Sequence, residues 1–294
     1  MQNHKFSRHL LKSLYLSCCY EEIKVNKPGN VSVKSPKYGM NFMKFYRAAE
    51  ISSKYIINKN YNVCESIYFA CKNCLKELGS NYNLGIILMI TPIIKTVSED
   101  FNSILDLRVK LKKKLNAINS QNTNLIKEAI KISNPGGIHN YSGTGNIMKS
   151  TENQLNFREM IKISSCWDRI SKSYMNSYRE IFECGLPFFF NSKKQFSRKF
   201  SIERLFIYYM SIEQDSHILR KYNKERAISV SYKAKKILNH LKKENKYAEE
   251  KLINFDKYLK FKNLNPGTCA DLTVTTLLID KITDIVSISN LKKN

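Results

Sequence analysis

The chain has 294 residues, of which 43% are hydrophobic, and its 49 Lys and Arg against 25 Asp and Glu give a formal net charge of +24. This apolar content suffices for a sizeable core, but the longest apolar run, residues 84–94, is too short to cross a bilayer, which needs about 20 residues. The N-terminal residues lack the cleavage site of a secretory signal. Composition therefore argues against a secreted or membrane-spanning protein, and we expect a cytoplasmic protein with eight reduced cysteines.

The positive charge favours an anionic partner such as a nucleotide, a nucleic acid or an acidic lipid. Lys, Asn and Ile are abundant along the whole chain, so we interpret the charge as a solvated surface and not as one basic patch. A basic nucleic-acid-binding protein stays open as an alternative, and it would need a stripe of Lys and Arg with exposed aromatic residues.

Apolar residues recur at the spacing of one helix face almost everywhere, as in Phe6, Leu10 and Leu14, whereas strict alternation over a strand's length is rare. The pattern predicts an all-α protein, a single-domain multi-helix bundle of about 11 helices over residues 1–294. The predicted helices cover residues 3–20, 40–58, 62–78, 83–98, 101–117, 122–133, 155–184, 200–216, 223–241, 244–261 and 268–285.

Gly and Pro are scarce, at 10 and 6 residues, and they cluster at joints between the predicted helices. In chain order these joints are residues 27–30, 134–137, 143–145, 185–187 and 265–268. The stretch 134–153 contains two of them and is predicted to be a flexible loop within the one domain.

The first joint follows a carboxylate. Glu22 lies near the end of the first predicted helix, five residues before Lys27, which opens a turn with Gly29 and Asn30. A carboxylate beside a glycine turn can hold a metal ion bound to polyphosphate, or it can simply hydrogen-bond to the turn.

Two predicted helices begin with side-chain amides and glycine. Asn81, Asn83 and Gly85 open the most apolar helix, where amides must find partners in their own backbone or in a ligand. The last helix follows the Asn-Pro-Gly-Thr turn at 265–268 and carries Asp271 within its first two turns. Backbone N–H groups at a helix start bind phosphate, although such starts are also common in purely structural roles.

Charged residues also lie on long predicted helices. Arg169 follows Asp168 directly, and Arg220 and Lys221 follow Asp215 within two turns of a helix. Isolated charges at such spacings belong to a surface by default. These charged residues would be functional only if the fold brought them together in one pocket.

Familiar catalytic and metal motifs are missing from the sequence. Cys71 and Cys74 have a zinc-like spacing, but their only possible mate is an adjacent cysteine pair, and the five His residues have no ligand spacing. His139, after the Asn-Pro-Gly-Gly turn, is interpreted as a loop residue. There is no GxxxxGK[ST], no GxGxxG after a strand and no GxSxG elbow, which excludes ordinary P-loop, Rossmann and hydrolase sites.

Taken in order, seven motifs resemble the triphosphoribosyl-dephospho-CoA synthase family, and in particular its branch found in archaea and in methylotrophs beside pterin-cofactor genes. The motifs are Glu22–Val31, Asn81–Leu88, Asn134–Gly137, Asp168–Tyr174, Glu183–Pro187, Asp215–Lys221 and Asn265–Leu272. The similarity runs from about residue 10 to residue 285.

The resemblance implies an all-helical enzyme that takes ATP and 3'-dephospho-CoA, joins the triphosphoribosyl unit to a ribose hydroxyl and releases adenine. Such a reaction needs a grip on the triphosphate, a carboxylate that stabilises an oxocarbenium-like ribose or deprotonates the attacking hydroxyl, and help for the leaving adenine. The expected catalytic carboxylates are Glu22, Asp168, Asp215 and Asp271, with Asp168, Asp215 and Asp271 as Mg²⁺ ligands. The residues expected to bind substrate and phosphate are Lys27, Gly29, Asn30, Asn81, Asn83, Gly85, Asn134, Gly136, Gly137, Arg220, Lys221, Asn265, Gly267 and Thr268. Nucleotides are the expected partners, nucleic acid and membrane are not, and a homodimer stays open.

Two departures distinguish the chain from the citrate-lyase branch of that family. Asn83 and Leu84 stand where that branch has a His-Lys pair before the glycine of the central motif, and residues 37–40 stand in place of a His-Asp-Met element. Loss of a cationic pair at a phosphate-facing helix start weakens triphosphate binding and can change the donor or the acceptor. Two alternatives therefore stay open: a related phosphoribosyl or nucleotide transfer in the synthesis of tetrahydromethanopterin-type C1 cofactors, and a non-catalytic helical partner protein.

Overall fold

The computed structural model describes residues 3–36, 41–148 and 155–291, and these residues form fourteen α-helices and no β-strand. The helices are α1 (Arg8–Lys24), α2 (Phe42–Ile56), α3 (Val63–Leu78), α4 (Leu84–Val97), α5 (Ile104–Asn116), α6 (Ser120–Ser133), α7 (Phe157–Ser164), α8 (Arg169–Met175), α9 (Leu186–Lys193), α10 (Arg198–Ile212), α11 (Ser216–Lys221), α12 (Lys224–His240), α13 (Lys246–Phe261) and α14 (Gly267–Leu291). A 3₁₀ turn spans Ile138–Asn140 and a π-helical segment spans Glu180–Gly185. The prediction of an all-α fold is confirmed. None of the described helices combines the length and the apolarity needed to cross a bilayer.

The first helix starts later than its periodicity predicts. The Ser7 side chain accepts a hydrogen bond from the Leu10 backbone N–H at 3.2 Å and caps α1. The residues before it are extended, and the His4 N–H donates to the Phe101 carbonyl at 2.7 Å. The apolar spacing over 3–20 therefore includes an extended segment that packs beside the start of α5.

The long helix predicted over 155–184 is divided in the structure. Asp168 caps a new helix, α8, and Ser177 and Tyr178 then adopt positive φ angles of 55° and 58°, which a right-handed helix does not continue through. The chain resumes as the π-helical segment and runs directly into α9. Neither α9 nor the short α11 is predicted by the periodicity. Pro187 suggested a joint, but proline is tolerated in the first turn of a helix.

The core is centred on α4 and the first half of α14. Every residue of α4 except Gly85 is buried, and α14 packs against α1, α4, α10 and α11. Buried hydroxyls on these two helices bond to their own backbone. Thr91 Oγ1 donates to the Ile87 carbonyl at 2.6 Å and Thr273 Oγ1 donates to the Cys269 carbonyl at 2.8 Å. Because these groups are satisfied within one helix, both helices can be buried.

A proline inside α4 ties this helix to α8. Pro92 has no N–H to donate to the Leu88 carbonyl, and the Tyr174 hydroxyl donates to that carbonyl instead, at 2.7 Å. The Tyr178 hydroxyl donates to the Met89 carbonyl at 2.8 Å. These two bonds hold α8 and the residues after it against the central helix.

The predicted flexible loop at 134–153 is described as far as Met148, and this part packs against α11. Gly137 has a φ of 81°, and a β-carbon there would lie 2.5 Å from the Arg220 carbonyl oxygen. Residues 149–153 of the predicted loop, and the departure at 37–40, lie outside the described residues.

Candidate active site

Asp271 of α14 lies against the first turn of α4. A β-carbon at Gly85 would lie 1.9 Å from the Asp271 Oδ2 atom, so only glycine leaves room for this carboxylate. The beginnings of α4 and α14 are therefore adjacent, although Leu84 and Gly267 are 183 positions apart in the sequence (267 − 84). Helix starts carry N–H groups without a partner inside the helix and the positive end of the helix dipole, and both favour an anionic group beside them.

The electrostatic surroundings of Asp271 raise the pKa of its carboxyl. Among the described residues, no N–H or hydroxyl donates a hydrogen bond to it. Burial raises the pKa of this carboxyl well above the ordinary aspartate value, the carboxylates of Asp215 and Glu22 raise it further, and the Lys27 ammonium opposes the shift. The Asp168 carboxylate adds a smaller increase. A carboxyl whose pKa is raised above the ordinary aspartate value binds a proton more readily and is suited to accept one during catalysis.

Glu22 and Lys27 form a buried ion pair beside Asp271. The two side chains are 4% and 1% exposed, and the Lys27 ammonium donates to Glu22 and, at 3.3 Å, to Asn30 Oδ1. Burial raises the pKa of the Glu22 carboxyl and lowers the pKa of the Lys27 ammonium, and each partner counteracts the shift of the other. Lys27 is thus bonded to protein groups, and a phosphate that reached it would have to compete with Glu22.

The turn that contains Lys27 holds the first helix against the last one. Gly29 has a φ of 79°, and a β-carbon there would lie 2.6 Å from the Leu264 carbonyl oxygen. The Gly29 N–H donates to Asp256 Oδ1 at 2.8 Å, and Asn30 Nδ2 donates to Asn265 Oδ1 at 3.0 Å. These contacts place the end of α1 beside the start of α14, and they give Gly29, Asn30 and Asn265 a structural role.

Asp215 bonds to two helix starts at once. Its Oδ1 accepts the Ile218 N–H at 3.0 Å, which caps α11, and its Oδ2 accepts the Cys269 N–H at 2.9 Å, in the first turn of α14. Both oxygens of this buried carboxylate are therefore engaged by backbone. The fully buried Arg169 reinforces the same corner, because it donates to Cys269 Sγ at 3.3 Å and pairs with Glu180.

Asp168 and Arg220 form the more open side of the site. Asp168 caps α8 by accepting from the Ser171 N–H and hydroxyl, both at 2.9 Å, and its Oδ1 lies 3.7 Å from an Arg220 guanidinium nitrogen. Arg220 Nε also donates to the Gly136 carbonyl at 3.0 Å. The guanidinium thus joins the Asn-Pro-Gly-Gly turn to α8 and keeps part of its surface exposed.

His217 is a site residue that the sequence analysis missed. This half-buried ring lies between two Asn-Pro-Gly turns: a β-carbon at Gly267 would lie 3.0 Å from its Nδ1, and one at Gly136 would lie 3.5 Å from its Nε2. Gly267 therefore leaves space for the imidazole, whereas a β-carbon at Gly136 would make only an ordinary van der Waals contact with it. The available signal was its position inside the Asp215–Lys221 motif, but a single His without ligand spacing does not predict such a contact.

Other predicted binding residues lie at the edge of the site or in the core. Asn81, not Asn83, caps α4 by accepting the Leu84 N–H at 3.0 Å. Asn83 is buried and donates to Ser52 Oγ at 3.1 Å. Lys221 and Asn134 are exposed, and Asn134 closes α6 with a φ of 42°. Thr268 is buried at the start of α14.

The three predicted Mg²⁺ ligands do not form a ready-made metal centre. In the part of the chain that the structure describes, no group of three or more His, Cys, Asp and Glu side chains is placed to hold a metal ion. Asp215 has both oxygens bonded to backbone. Of the three, Asp271 and Asp168 keep carboxylate oxygens that could contact an ion, and hard oxygen ligands of this kind suit Mg²⁺.

The chain and its fold resemble known proteins. A model of the family described as ATP:dephospho-CoA triphosphoribosyl transferase matches residues 8–289. A crystallised candidate triphosphoribosyl-dephospho-CoA synthase from Archaeoglobus fulgidus has a similar fold, with a TM-score of 0.63 and 18% sequence identity over 81% of this chain and 98% of that one. No curated protein gives a significant match. The family resemblance of the seven motifs is confirmed, whereas the methanopterin-associated branch stays a prediction. Since the family model spans nearly the whole chain, the protein belongs to the ATP:dephospho-CoA triphosphoribosyl transferase family.

Proposed function

We propose that the protein transfers the triphosphoribosyl unit of ATP to a ribose hydroxyl of dephospho-CoA and releases adenine. The observation that carries this proposal is the Asp271 carboxylate, which lies between the starts of α4 and α14 without a hydrogen-bond donor among the described residues. Two helix starts that can bind phosphate and a carboxylate with a raised pKa supply two of the three things that this transfer requires.

In this reaction the bond between the ribose anomeric carbon and the adenine nitrogen breaks, and a bond from that carbon to the acceptor oxygen forms. The adenine nitrogen takes the electron pair of the broken bond and a proton, while the acceptor hydroxyl loses its proton. Asp271 is the proposed base for the hydroxyl proton, because its pKa is raised and its oxygens are not bonded to backbone. Its negative charge would also stabilise an oxocarbenium-like ribose.

The triphosphate is proposed to bind at the two helix starts, with Arg220 as the cation on the open side. His217, beside the Gly136 and Gly267 turns, is the proposed contact for a phosphate oxygen or for the leaving base. Mg²⁺ would be held by Asp168 together with phosphate oxygens of ATP, where it would neutralise phosphate charge; Asp271, the proposed base, is left out of this ligand set because a bound cation would lower its pKa. Mg²⁺ commonly binds to one or two carboxylates and substrate phosphates, so we leave Asp215 out of this ligand set. ATP and dephospho-CoA are intracellular, and the cytoplasm is accordingly the proposed compartment.

The test is to incubate the purified protein with ATP, dephospho-CoA and Mg²⁺ and to measure free adenine and the coupled product by chromatography. We expect adenine release that requires both substrates, and an Asp271→Asn variant should lose it by a factor of ~10² or more. Asp284→Asn, an exposed carboxylate on the same helix, is the matched control and should keep full activity. Adenine release that persists in Asp271→Asn would remove Asp271 from the mechanism.

A related transfer with another phosphoribosyl donor is the second candidate, and one observation favours it. Where the citrate-lyase branch has a His-Lys pair, Asn83 and Leu84 are both buried, and the Asn83 amide donates to Ser52. The site thus has no cation at that position to grip the distal phosphates. Phosphoribosyl pyrophosphate in place of ATP, with a pterin-type acceptor in place of dephospho-CoA, tests this candidate in parallel assays. Failure of all these ligands to raise the thermal stability of the protein would favour the non-catalytic alternative.

A further inference from the structure

A cavity lies beside the candidate active site, between α6, α7, α8 and the loop at 141–147. Its volume is about 180 Å³, below the ~300–1,000 Å³ of a pocket for a whole drug-sized ligand. Asp168 and Arg220, both part of the candidate active site, line this cavity together with apolar side chains. It is therefore a side pocket of that site, sized for one compact group.

Four aromatic residues line the side pocket: Tyr141, Phe157, Trp167 and Tyr174. The Tyr141 and Trp167 rings have centroids 5.0 Å apart at 35°, and the Phe157 and Tyr174 rings are 5.6 Å apart at 72°. Tyr141 and Trp167 are only partly buried. Aromatic walls of this kind bind flat aromatic groups by stacking.

The walls of the pocket are ordered by local hydrogen bonds. The Tyr141 hydroxyl donates to the Thr144 carbonyl at 2.8 Å, and Asn146 Nδ2 donates to the Tyr141 carbonyl at 2.5 Å. On the helix side, Ser164 Oγ donates to Ser171 Oγ at 2.8 Å. A ring that is oriented before binding loses less entropy when a ligand stacks on it.

The charged residues at the edge of the pocket decide how a ligand would lie. A nucleotide whose base entered the aromatic pocket would have its sugar beside Asp168 and its phosphates near the Arg220 guanidinium. We propose that this side pocket is an adenine-binding subsite, an inference that rests on the proposed function. ATP and dephospho-CoA both carry adenine, so the shared chemistry is the purine ring, and experiment must decide which substrate places its base here.

Trp167 is the one tryptophan of the chain, and it therefore reports directly on the pocket. We expect adenine alone to quench its fluorescence on titration and inorganic tripolyphosphate, which has no base, to leave it unchanged. Ile161→Phe should fill the pocket and Tyr141→Leu should remove a stacking surface. Either substitution is expected to weaken adenine binding at least tenfold and to leave stabilisation by tripolyphosphate unchanged. Ile228→Phe, at an exposed position of α12, is the control and should bind adenine as the unmodified protein does.

The inference would be overturned if adenine did not quench the fluorescence of Trp167, or if adenine binding were unchanged in Ile161→Phe and Tyr141→Leu. It would also be overturned if pantetheine quenched this fluorescence and adenine did not. The kinetic arm uses Ile161→Phe: a raised KM for ATP assigns the pocket to the donor, and a raised KM for dephospho-CoA assigns it to the acceptor. Equilibrium binding of adenine needs no turnover, so it tests the adenine subsite separately from the proposed transfer activity. Adenine bound in the pocket without transfer would contradict the proposed function alone, whereas transfer with unchanged KM values in Ile161→Phe would contradict the subsite alone.

Discussion

Asp271 is the proposed base, and its ionised form destabilises the fold. Because burial and nearby carboxylates raise its folded-state pKa above the unfolded value of ~3.9, ionisation destabilises the protein progressively as pH rises from that value to the folded pKa. We predict that Asp271→Asn raises the melting temperature above that of the unmodified protein at pH 8 and that the difference disappears below about pH 4. Melting curves across this range test it, and an Asp271→Asn variant that is less stable at pH 8 would contradict the pKa direction.

The pH dependence of the rate follows from the same shift. The proposed base acts in its ionised form, so kcat/KM should fall on acidification with an apparent pKa well above that of an ordinary aspartate. A rate profile that stays flat down to about pH 4 would show that another group accepts the proton.

A second prediction at the residue scale concerns the buried ion pair of Glu22 and Lys27. Glu22→Gln leaves the 1% exposed Lys27 without its counter-charge, and loss of one partner of a buried pair costs about 3–5 kcal/mol. The double variant Glu22→Gln with Lys27→Met removes both charges and should recover most of the free energy of unfolding. Denaturant titration of the single and double variants measures this, and additive losses would show that the pair is not coupled.

At the scale of helices, the contact between α4 and α14 depends on one glycine. Gly85→Ala places a β-carbon against the Asp271 carboxylate, so we predict loss of both stability and activity. Asp271→Ala in the same chain should restore stability but not activity, because it removes the clash together with the proposed base. Gly79→Asn is the control for activity: its φ of 70° strains a side chain there, but a β-carbon meets nothing within 4 Å, so activity should be kept. Stability unchanged in Gly85→Ala would mean that the two helix starts are further apart than described.

The bond from α8 to the proline of α4 gives a second prediction at this scale. Tyr174→Phe leaves the buried Leu88 carbonyl without the hydroxyl that replaces the missing Pro92 N–H, at a cost of about 1–3 kcal/mol. Tyr247→Phe, an exposed tyrosine on α13, should cost much less. Thermal or denaturant unfolding of the two variants makes the comparison, and equal stabilities would show that this carbonyl finds another donor.

At the scale of the whole molecule, the excess of Lys and Arg gives a formal net charge of +24, and these positive charges repel one another. Added NaCl screens this repulsion, with a Debye length of ~10 Å at 0.1 M, so the melting temperature should rise steadily with NaCl concentration. Sodium chloride is the suitable salt because phosphate and sulfate could bind at the helix starts. A melting temperature that falls with NaCl would show that paired surface charges dominate.

The sequence by itself determined the fold class and the family, and it named the candidate residues of the site. Helical periodicity shows in any chain whose helices bury one face, and turns such as Asn-Pro-Gly-Thr mark helix starts locally. Only the tertiary structure decided which of these residues contact one another. It brought Gly85 against Asp271, engaged both oxygens of Asp215 with backbone, enclosed Lys27 with Glu22 and placed His217 between two glycine turns. Those outcomes depend on contacts between residues far apart in the chain, and a pattern of neighbours along one helix carries no information about which distant side chain takes a given hydrogen bond or fills a given space.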